Sequence, residues 1–380
     1  MDEDGNSYST GYFKTGMQEQ GNQFIYPDCE ASYNCSDFLF LMKRDKNGKL
    51  LWMRYTIGNA RPSDLAIDKD GFINMVGTVY SNKISFSTPT DTLLNLKRPN
   101  KDAAIFICKY DKNGQPVKTK ILSQERYEHA YTFIMDDEDN LYIGGSFIYY
   151  LYKKRSDTKQ SYLVYKFDKN WDLVWEKAGD TTGISGISEM DFDDKNNLIV
   201  TGSYVNNLKI GGKILQPENP YNSQKPFVAK YNSDGQFQWI SEVVSETGYG
   251  VGCNIACDTK GNSFVIVNSP SNTAFLSKIN QKGELDWQLK IGSSVTFSDM
   301  ILDDKNDVYL SGAGSYATFP TKGIELFSFQ NRGSTDFFMV KYSSKGNLEW
   351  LKVGGGKRTD YCESIALYGD KLIAFVFRLV

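Results

Sequence analysis

Histidine is almost absent from this chain of 380 residues: His129 is the single copy. That count excludes a catalytic histidine pair and any multi-histidine metal site. No apolar run reaches the length of about 18 residues that a membrane-spanning helix needs. No long basic run occurs, and 43 Lys and Arg against 46 Asp and Glu leave a net charge of −3, so nucleic acid is not expected as the main partner. C-x-x-C is missing, which argues against a zinc ribbon or a thioredoxin-type site. G-x-S-x-G and H-E-x-x-H are missing too. Of the six cysteines, Cys29 and Cys35 lie close enough in a polar stretch for a local disulfide, and their state stays open. Cys108, Cys253 and Cys257 sit in strand-like runs and read as buried thiols. The opening Met1-Asp2-Glu3-Asp4-Gly5 has neither the basic nor the apolar segment of a signal peptide.

What the chain has is glycine, tyrosine and phenylalanine: 33, 24 and 23 residues, against 10 prolines. This composition favours strands and tight turns. Hydrophobic residues at 40% and charged residues at 23% are ordinary for a globular protein and exclude wholesale disorder. The length fits two or three domains, or one large domain built from repeats.

An internal repeat decides between these. One unit is an apolar run, a lysine, a turn and a tryptophan, as in Phe38-Leu39-Phe40-Leu41-Met42-Lys43 followed by Asp45-Lys46-Asn47-Gly48 and Trp52. The lysine recurs at Lys109, Lys166, Lys230, Lys278 and Lys341. The turn position recurs as Gly48, Gly114, Trp171, Gly235, Gly283 and Gly346, and the next column holds Trp52, Lys118, Trp175, Trp239, Trp287 and Trp350. Five of the six tryptophans therefore share one column. A second unit alternates with the first and reads D-x-x-G-N-x-Y-x-x-G. Its aspartates are Asp2, Asp68, Asp136, Asp193, Asp258 and Asp303, with Tyr368 in the last copy. Its closing column is Gly11, Gly77, Gly145, Gly202, Val267, Gly312 and Phe377.

Each unit predicts a β-hairpin, because apolar flanks surround a turn in which Asp bonds the backbone and Gly or Asn supplies positive φ. The Asp unit supplies strands a and b, and the Lys-to-Trp unit supplies c and d. Two hairpins form a four-stranded antiparallel sheet, and successive sheets at a period of roughly 40–60 residues predict a β-propeller. The tryptophan column is expected to pack between neighbouring blades. The lysine column is expected to lay its stem over apolar neighbours with its head near a carboxylate.

The pattern F-x-x-K-Y-D-x-x-G-x-L-x-W followed by I-x-x-D-x-x-G-N-x-Y-x-x-G, seen best at 227–239 and 337–350, resembles the seven-bladed bacterial SBBP repeat. The resemblance covers nearly the whole chain and departs at Lys118 and after Val267. It implies an all-β, seven-bladed β-propeller of four-stranded antiparallel blades, and secreted or cell-surface modules without a common activity. Gly-x-Leu-x-Trp also resembles the quinoprotein-type repeat. There b and c are joined by a short link, whereas residues 81–101 and 208–225 here are long, so the first family is preferred.

Counted along the chain, the units supply strands b, c and d, then five complete blades, then a and b: 25 strands, against the 28 of seven complete blades. The expectation is one propeller domain over residues 1–380 with one incomplete blade, its absent strands and any signal peptide lying upstream of Met1. The protein is accordingly expected outside the cell or in the cell envelope, as a monomer.

In such a blade the ab and cd turns share one face, and the bc and da connections share the other. All the short D-x-x-G turns are ab or cd, so variation concentrates on the bc/da face, where a binding site is expected. The da loops near the central channel offer Arg61, Arg126, His129, Tyr249, Lys357, Arg358 and Asp360, a polar and aromatic set suited to a glycan or peptide. Other features read as structure. Asp136-Asp137-Glu138-Asp139-Asn140 lacks the distal Glu and flanking helices of a calcium loop. Gly354-Gly355-Gly356-Lys357 lacks the first glycine of a P-loop, Leu351 standing there. Asn34-Cys35-Ser36 is a formal glycosylation sequon. No cofactor or metal is expected.

The first functional expectation is a non-enzymatic binding or scaffold propeller. The alternative is a carbohydrate-active hydrolase or lyase, which needs two carboxylates, or a tyrosine with a basic partner, at the channel mouth. A third is a quinoprotein-like assembly factor, whose sign would be eight blades.

Overall fold

A computed structural model describes residues 1–13, 17–18, 24–25, 37–88, 93–97, 103–122, 126–150, 158–180, 183–216, 224–243, 250–269, 273–320, 326–330, 334–369 and 371–378. Cys29, Cys35 and the Asn34 sequon lie outside them. Every element among the described residues is a strand, and the sheets are antiparallel. They fall into two compact units, Met1–Ala178 and Gly179–Val380.

In the first unit, Ser7–Phe13, Phe38–Arg44 and Leu50–Ile57 form the first sheet. The second is Ala60–Ile67, Ile73–Val79, Ala104–Tyr110 and Pro116–Leu122. The third is Tyr127–Met135, Leu141–Tyr150, Thr158–Phe167 and Leu173–Ala178. In the second unit, Ile184–Phe192, Leu198–Val205, Lys225–Tyr231 and Phe237–Glu242 form the fourth sheet. Val251–Cys257, Ser263–Ser269, Thr273–Ile279 and the start of Leu285–Leu302 form the fifth. The end of that strand, Val308–Pro320, Asp336–Tyr342 and Leu348–Gly354 form the sixth. Asp360–Tyr368 and Lys371–Arg378 pair with each other. The long segments after strand b hold strands of their own. Lys83–Ser87 and Leu93–Lys97 make a hairpin that leaves the second sheet and joins the edge of the first through Thr56 opposite Phe86.

Within each unit the sheets stack face to face. Met75, Phe106 and Cys108 of the second sheet pack against Leu39 and Leu41 of the first. Their strand neighbours Val76, Ile105 and Ile107 pack against Phe133, Ile143 and Leu163 of the third. Strands b and c are buried on both sides, so they read as continuous apolar runs rather than alternating ones. In the second unit Val265 and Val267 meet Ile199 and Val228, while Phe264 and Ile266 meet Met300 and Phe338.

The turn aspartate divides its two oxygens between two tasks. Oδ1 accepts the N–H four residues on in all six copies, at 2.8–2.9 Å. Oδ2 meets the lysine of strand c in the same sheet: Lys43–Asp2, Lys109–Asp68, Lys166–Asp136, Lys230–Asp193, Lys278–Asp258 and Lys341–Asp303, at 2.5–4.0 Å. Burial works to raise the Asp193 carboxyl, but its bonds to Lys230, Asn197 and the turn backbone hold it below the usual range. One residue thus closes the ab turn and fastens it to the cd hairpin.

Within each unit, tryptophans of the column lie over the cd turn of the next sheet. The Trp52 indole N–H donates to the Lys112 carbonyl at 3.1 Å, and the ring covers Gly114, whose missing Cβ would stand 3.2 Å from it. Trp239 repeats this with the Gln281 carbonyl at 2.9 Å and Gly283, and Trp287 covers Gly346. These rings are half-buried rather than enclosed. The second and third sheets depart from this arrangement together. Trp171 takes the turn position itself, at 2% exposure and φ 68°, and Lys118 replaces the ring that would collide with it. Lys118 Nζ sits 4.3 Å from the Trp171 ring centre and donates to the Asn170 carbonyl.

Each strand a carries a β-bulge at one repeat position: Ser63, Tyr131, Ser188, Cys253, Ser298 and Glu363 are skipped in the ladder. The glycine column faces this bulge. A Cβ on Gly145 would stand 1.9 Å from the His129 carbonyl, and one on Gly77 2.3 Å from that of Arg61. In the fifth sheet the small residue has changed strands, Gly252 standing opposite Val267.

Two consequences can be measured. Trp171→Gly alone should cost about 3 kcal/mol as the loss of a buried aromatic, and Lys118→Trp alone should also destabilise. The double variant recreates the Trp52–Gly114 arrangement, so urea melts should show it more stable than additivity of the singles allows by at least about 1 kcal/mol. The second concerns Asp191, whose carboxylate accepts the N–H groups of Phe192 and of Cys257 in the neighbouring sheet. Burial pushes this carboxyl up to about 6. A raised folded-state pKa means its contribution to stability is greatest at low pH and declines as pH rises toward 6. Asp191→Asn should flatten the melting temperature between about pH 4 and 6 relative to wild type.

Candidate functional site

Strand a begins, strand b ends and strand c begins at the same end of each sheet, where the long connections leave. In the first unit, this end carries an aromatic and basic patch drawn from three successive sheets. Tyr12 ends the first sheet's strand b, and Asp37 precedes its strand c. Arg61 starts the second sheet's strand a, and Tyr80 follows its strand b. His129 and Tyr131 lie on strand a of the third.

Arg61 Nε donates to Asp37 Oδ2 at 2.8 Å, and the guanidinium lies over the Tyr12 ring, 4.9 Å from its centre. The Asp37 bond pushes the Arg61 pKa up. Asp37 is buried, and its Oδ1 has no hydrogen-bond partner among the described residues. Tyr80 Oη lies 3.4 Å from His129 Nδ1, the rings 5.8 Å apart. Burial raises the Tyr80 phenol, Arg61 opposing it, and burial lowers the His129 imidazole, which favours its neutral form. The His129 ring is parallel to that of Tyr131, centroids 6.3 Å apart, and Tyr131 Oη bonds Ser146 Oγ at 3.0 Å. Tyr12 and Tyr131 remain 46% and 45% exposed.

The structure sorts the residues singled out in the sequence. His129 meets Tyr80 directly, and Arg61 acts electrostatically on the same phenol. Arg126 is turned into the third sheet instead, bound to Glu128 Oε1 at 2.7 Å, to Tyr165 Oη at 3.0 Å and to Glu176. Burial opposes its charge, but the two carboxylates outweigh this and raise its pKa. Glu128 is enclosed, and burial raises its carboxyl against the pull of Arg126 and Tyr165. In the second unit, Asp360 is buried and accepts the Gly356 N–H at 2.9 Å, closing the loop that exposes Lys357 and Arg358. Tyr249 lies outside the described residues.

Tyr12, Asp37, Tyr80 and Tyr131 were missed by reading loops alone. A signal for one of them was present. Arg61 and His129 both stand two residues before the bulge, at a position held elsewhere by Gly186, Val251, Thr296 and Tyr361, and Tyr131 is itself the bulge residue. Aligning the repeats on the bulge therefore singles out these two sheets. Among the described residues no group of acidic, histidine and cysteine side chains is placed to hold a metal ion, and no helix is long and apolar enough to cross a membrane.

No family model matches the chain. It is 22% identical, over 71% of its length, to an uncharacterized WD repeat-containing protein of Acanthamoeba polyphaga mimivirus, and spans 26% of that protein. Similar solved structures include a protein of unknown function from Bacteroides caccae, with 9% identity over 83% of this chain and 90% of that one, and a TM-score of 0.44. Chaetomium thermophilum Sqt1 bound to the N-terminus of the ribosomal protein L10 has 8% identity over 91% and 89%, and a TM-score of 0.45. A Xanthomonas campestris gluconolactonase has 12% identity over 72% and 75%, and a TM-score of 0.39. Sqt1 and the gluconolactonase are β-propeller-type folds.

Proposed function

We propose that the chain is a binding or scaffold propeller, exported to the cell envelope or beyond, that takes a glycan or peptide at the Tyr12–Arg61–Tyr80–His129–Tyr131 patch. In this reading residues 1–380 form one seven-bladed domain of the SBBP type, in which the Asp360–Tyr368 and Lys371–Arg378 pair is the incomplete blade, and the protein works as a monomer without a cofactor. The observation that carries it is the convergence of exposed tyrosines with an arginine and a histidine, from three sheets, at the end where the long connections leave. Rigid strands hold these rings, so a ligand meets a surface that need not be ordered on binding.

A second reading has one observation of its own. Tyr80 and His129 sit at 3.4 Å, a tyrosine with a basic partner as a lyase or hydrolase of carbohydrate requires, and apo contacts of this kind tighten when substrate arrives.

Glycan and peptide arrays probed with wild type and with Tyr12→Ala and Tyr131→Ala separate these readings. Both variants remove exposed rings and should leave the melting temperature within a few degrees, a ΔΔG of about 0.5 kcal/mol. Binding lost in the variants supports the site. Binding retained by the double variant places the ligand elsewhere. Release of shortened glycan over time supports the enzyme.

A further inference from the structure

We infer that the patch selects a glycan carrying a single carboxylate at the bound sugar, a hexuronate. This rests on the site proposed above and narrows its ligand class. The Arg61 guanidinium is held at one edge, Nε to Asp37, and braced on its face by Tyr12. Its side chain is 48% exposed, and among the described residues neither Nη has a hydrogen-bond partner. A guanidinium fixed in this way offers its remaining edge as a fork for a carboxylate, with little rotamer freedom left to lose.

The surroundings argue for a sugar rather than an acidic chain. Asp37 neutralises Arg61, so the patch lacks the field of an arginine cluster, which is what acidic and phosphorylated peptides are captured by. His129 adds no charge in its neutral form and can exchange hydrogen bonds with hydroxyl groups. The exposed rings of Tyr12 and Tyr131 are electron-rich faces suited to the C–H face of a pyranose. Selectivity then comes from geometry around one carboxylate, which fits a protein of net charge −3.

The test is calorimetric titration of the full chain with oligogalacturonate, oligoglucuronate, their methyl esters and an oligoglutamate of equal length. At least one uronate should bind. Its methyl ester should bind about tenfold to a hundredfold more weakly, the range for losing hydrogen bonds to a charged group. Arg61→Ala should weaken the uronate by a similar factor and leave the ester little changed. Because Arg61→Ala strands the buried Asp37, Arg61→Gln combined with Asp37→Asn, and Tyr131→Ala alone, are measured alongside, with thermal melts to check folding. Equal binding of acid and ester, preference for oligoglutamate, or uronate binding indifferent to Arg61 overturns the ligand class. If oligoglutamate or a methyl ester binds in a way that Tyr131→Ala abolishes, the site stands while the hexuronate is wrong. If no probe binds, the hexuronate inference is overturned, and the arrays judge the site. Cleavage of a bound uronate supports the ligand class and moves the protein to the enzymatic reading.

Discussion

Each complete sheet depends on one carboxylate used twice. An aspartate that only capped its turn would leave less to hold the ab hairpin in place against the cd hairpin, since a one-residue slip exchanges the two faces of a strand and here both faces are apolar. An aspartate that only paired with lysine would leave the turn to find its own shape. By placing Oδ1 in the turn and Oδ2 on the lysine of strand c, the fold converts a local motif into a register pin between hairpins. The arrangement recurs from Asp2–Lys43 to Asp303–Lys341. The pair is costly to bury, and it is tolerated because the carboxylate is already bonded to backbone N–H groups. In several copies, tyrosine or asparagine side chains add to them, as Tyr8 and Asn6 do at Asp2.

Above the pins lies a second layer of specificity. The half-buried Trp52, Trp239 and Trp287 tie their outer strands to the turn of the following sheet within their own unit, while Asp191, Asn254 and Asp299 tie successive inner strands within the second unit. Polar side chains here bond the backbone of the neighbouring sheet, so spacing between sheets is set by directional contacts as well as by apolar area. The bulge on each strand a adds a third function. It turns one residue out of the ladder, and in the third sheet that residue is Tyr131.

Strand order, turn positions and the grouping of the sheets were legible because they rest on local chemistry repeated many times. Asp, Gly and Asn at the turns, and unbroken apolar runs in strands b and c, leave few alternatives. The hairpin Lys83–Ser87 with Leu93–Lys97 was not legible, because it belongs to one sheet in sequence and to its neighbour in space. Its pairing depends on the free edge of Leu50–Ile57, which no local pattern announces. The site was legible in part. Arg61 and His129 stood out as rare residue types in a da loop, but Arg126 looked the same and is consumed by Glu128 and Glu176. Whether an arginine faces solvent or a buried carboxylate depends on strand phase, which the bulge shifts by one residue. Asp37 precedes strand c, and only the packing of two sheets brings it to Arg61.

The exchange between Lys118 and Trp171 bears on how such a chain can change. A repeat looks like an interchangeable part, able to be duplicated, deleted or moved. Here the second and third copies carry complementary halves of one contact, a cation in one and an oversized turn residue in the other. Inserting an ordinary copy between them would set a tryptophan against a tryptophan on one side and a lysine over an empty glycine on the other. The two copies are therefore locked in order and can be inherited, shuffled or transplanted only as a pair.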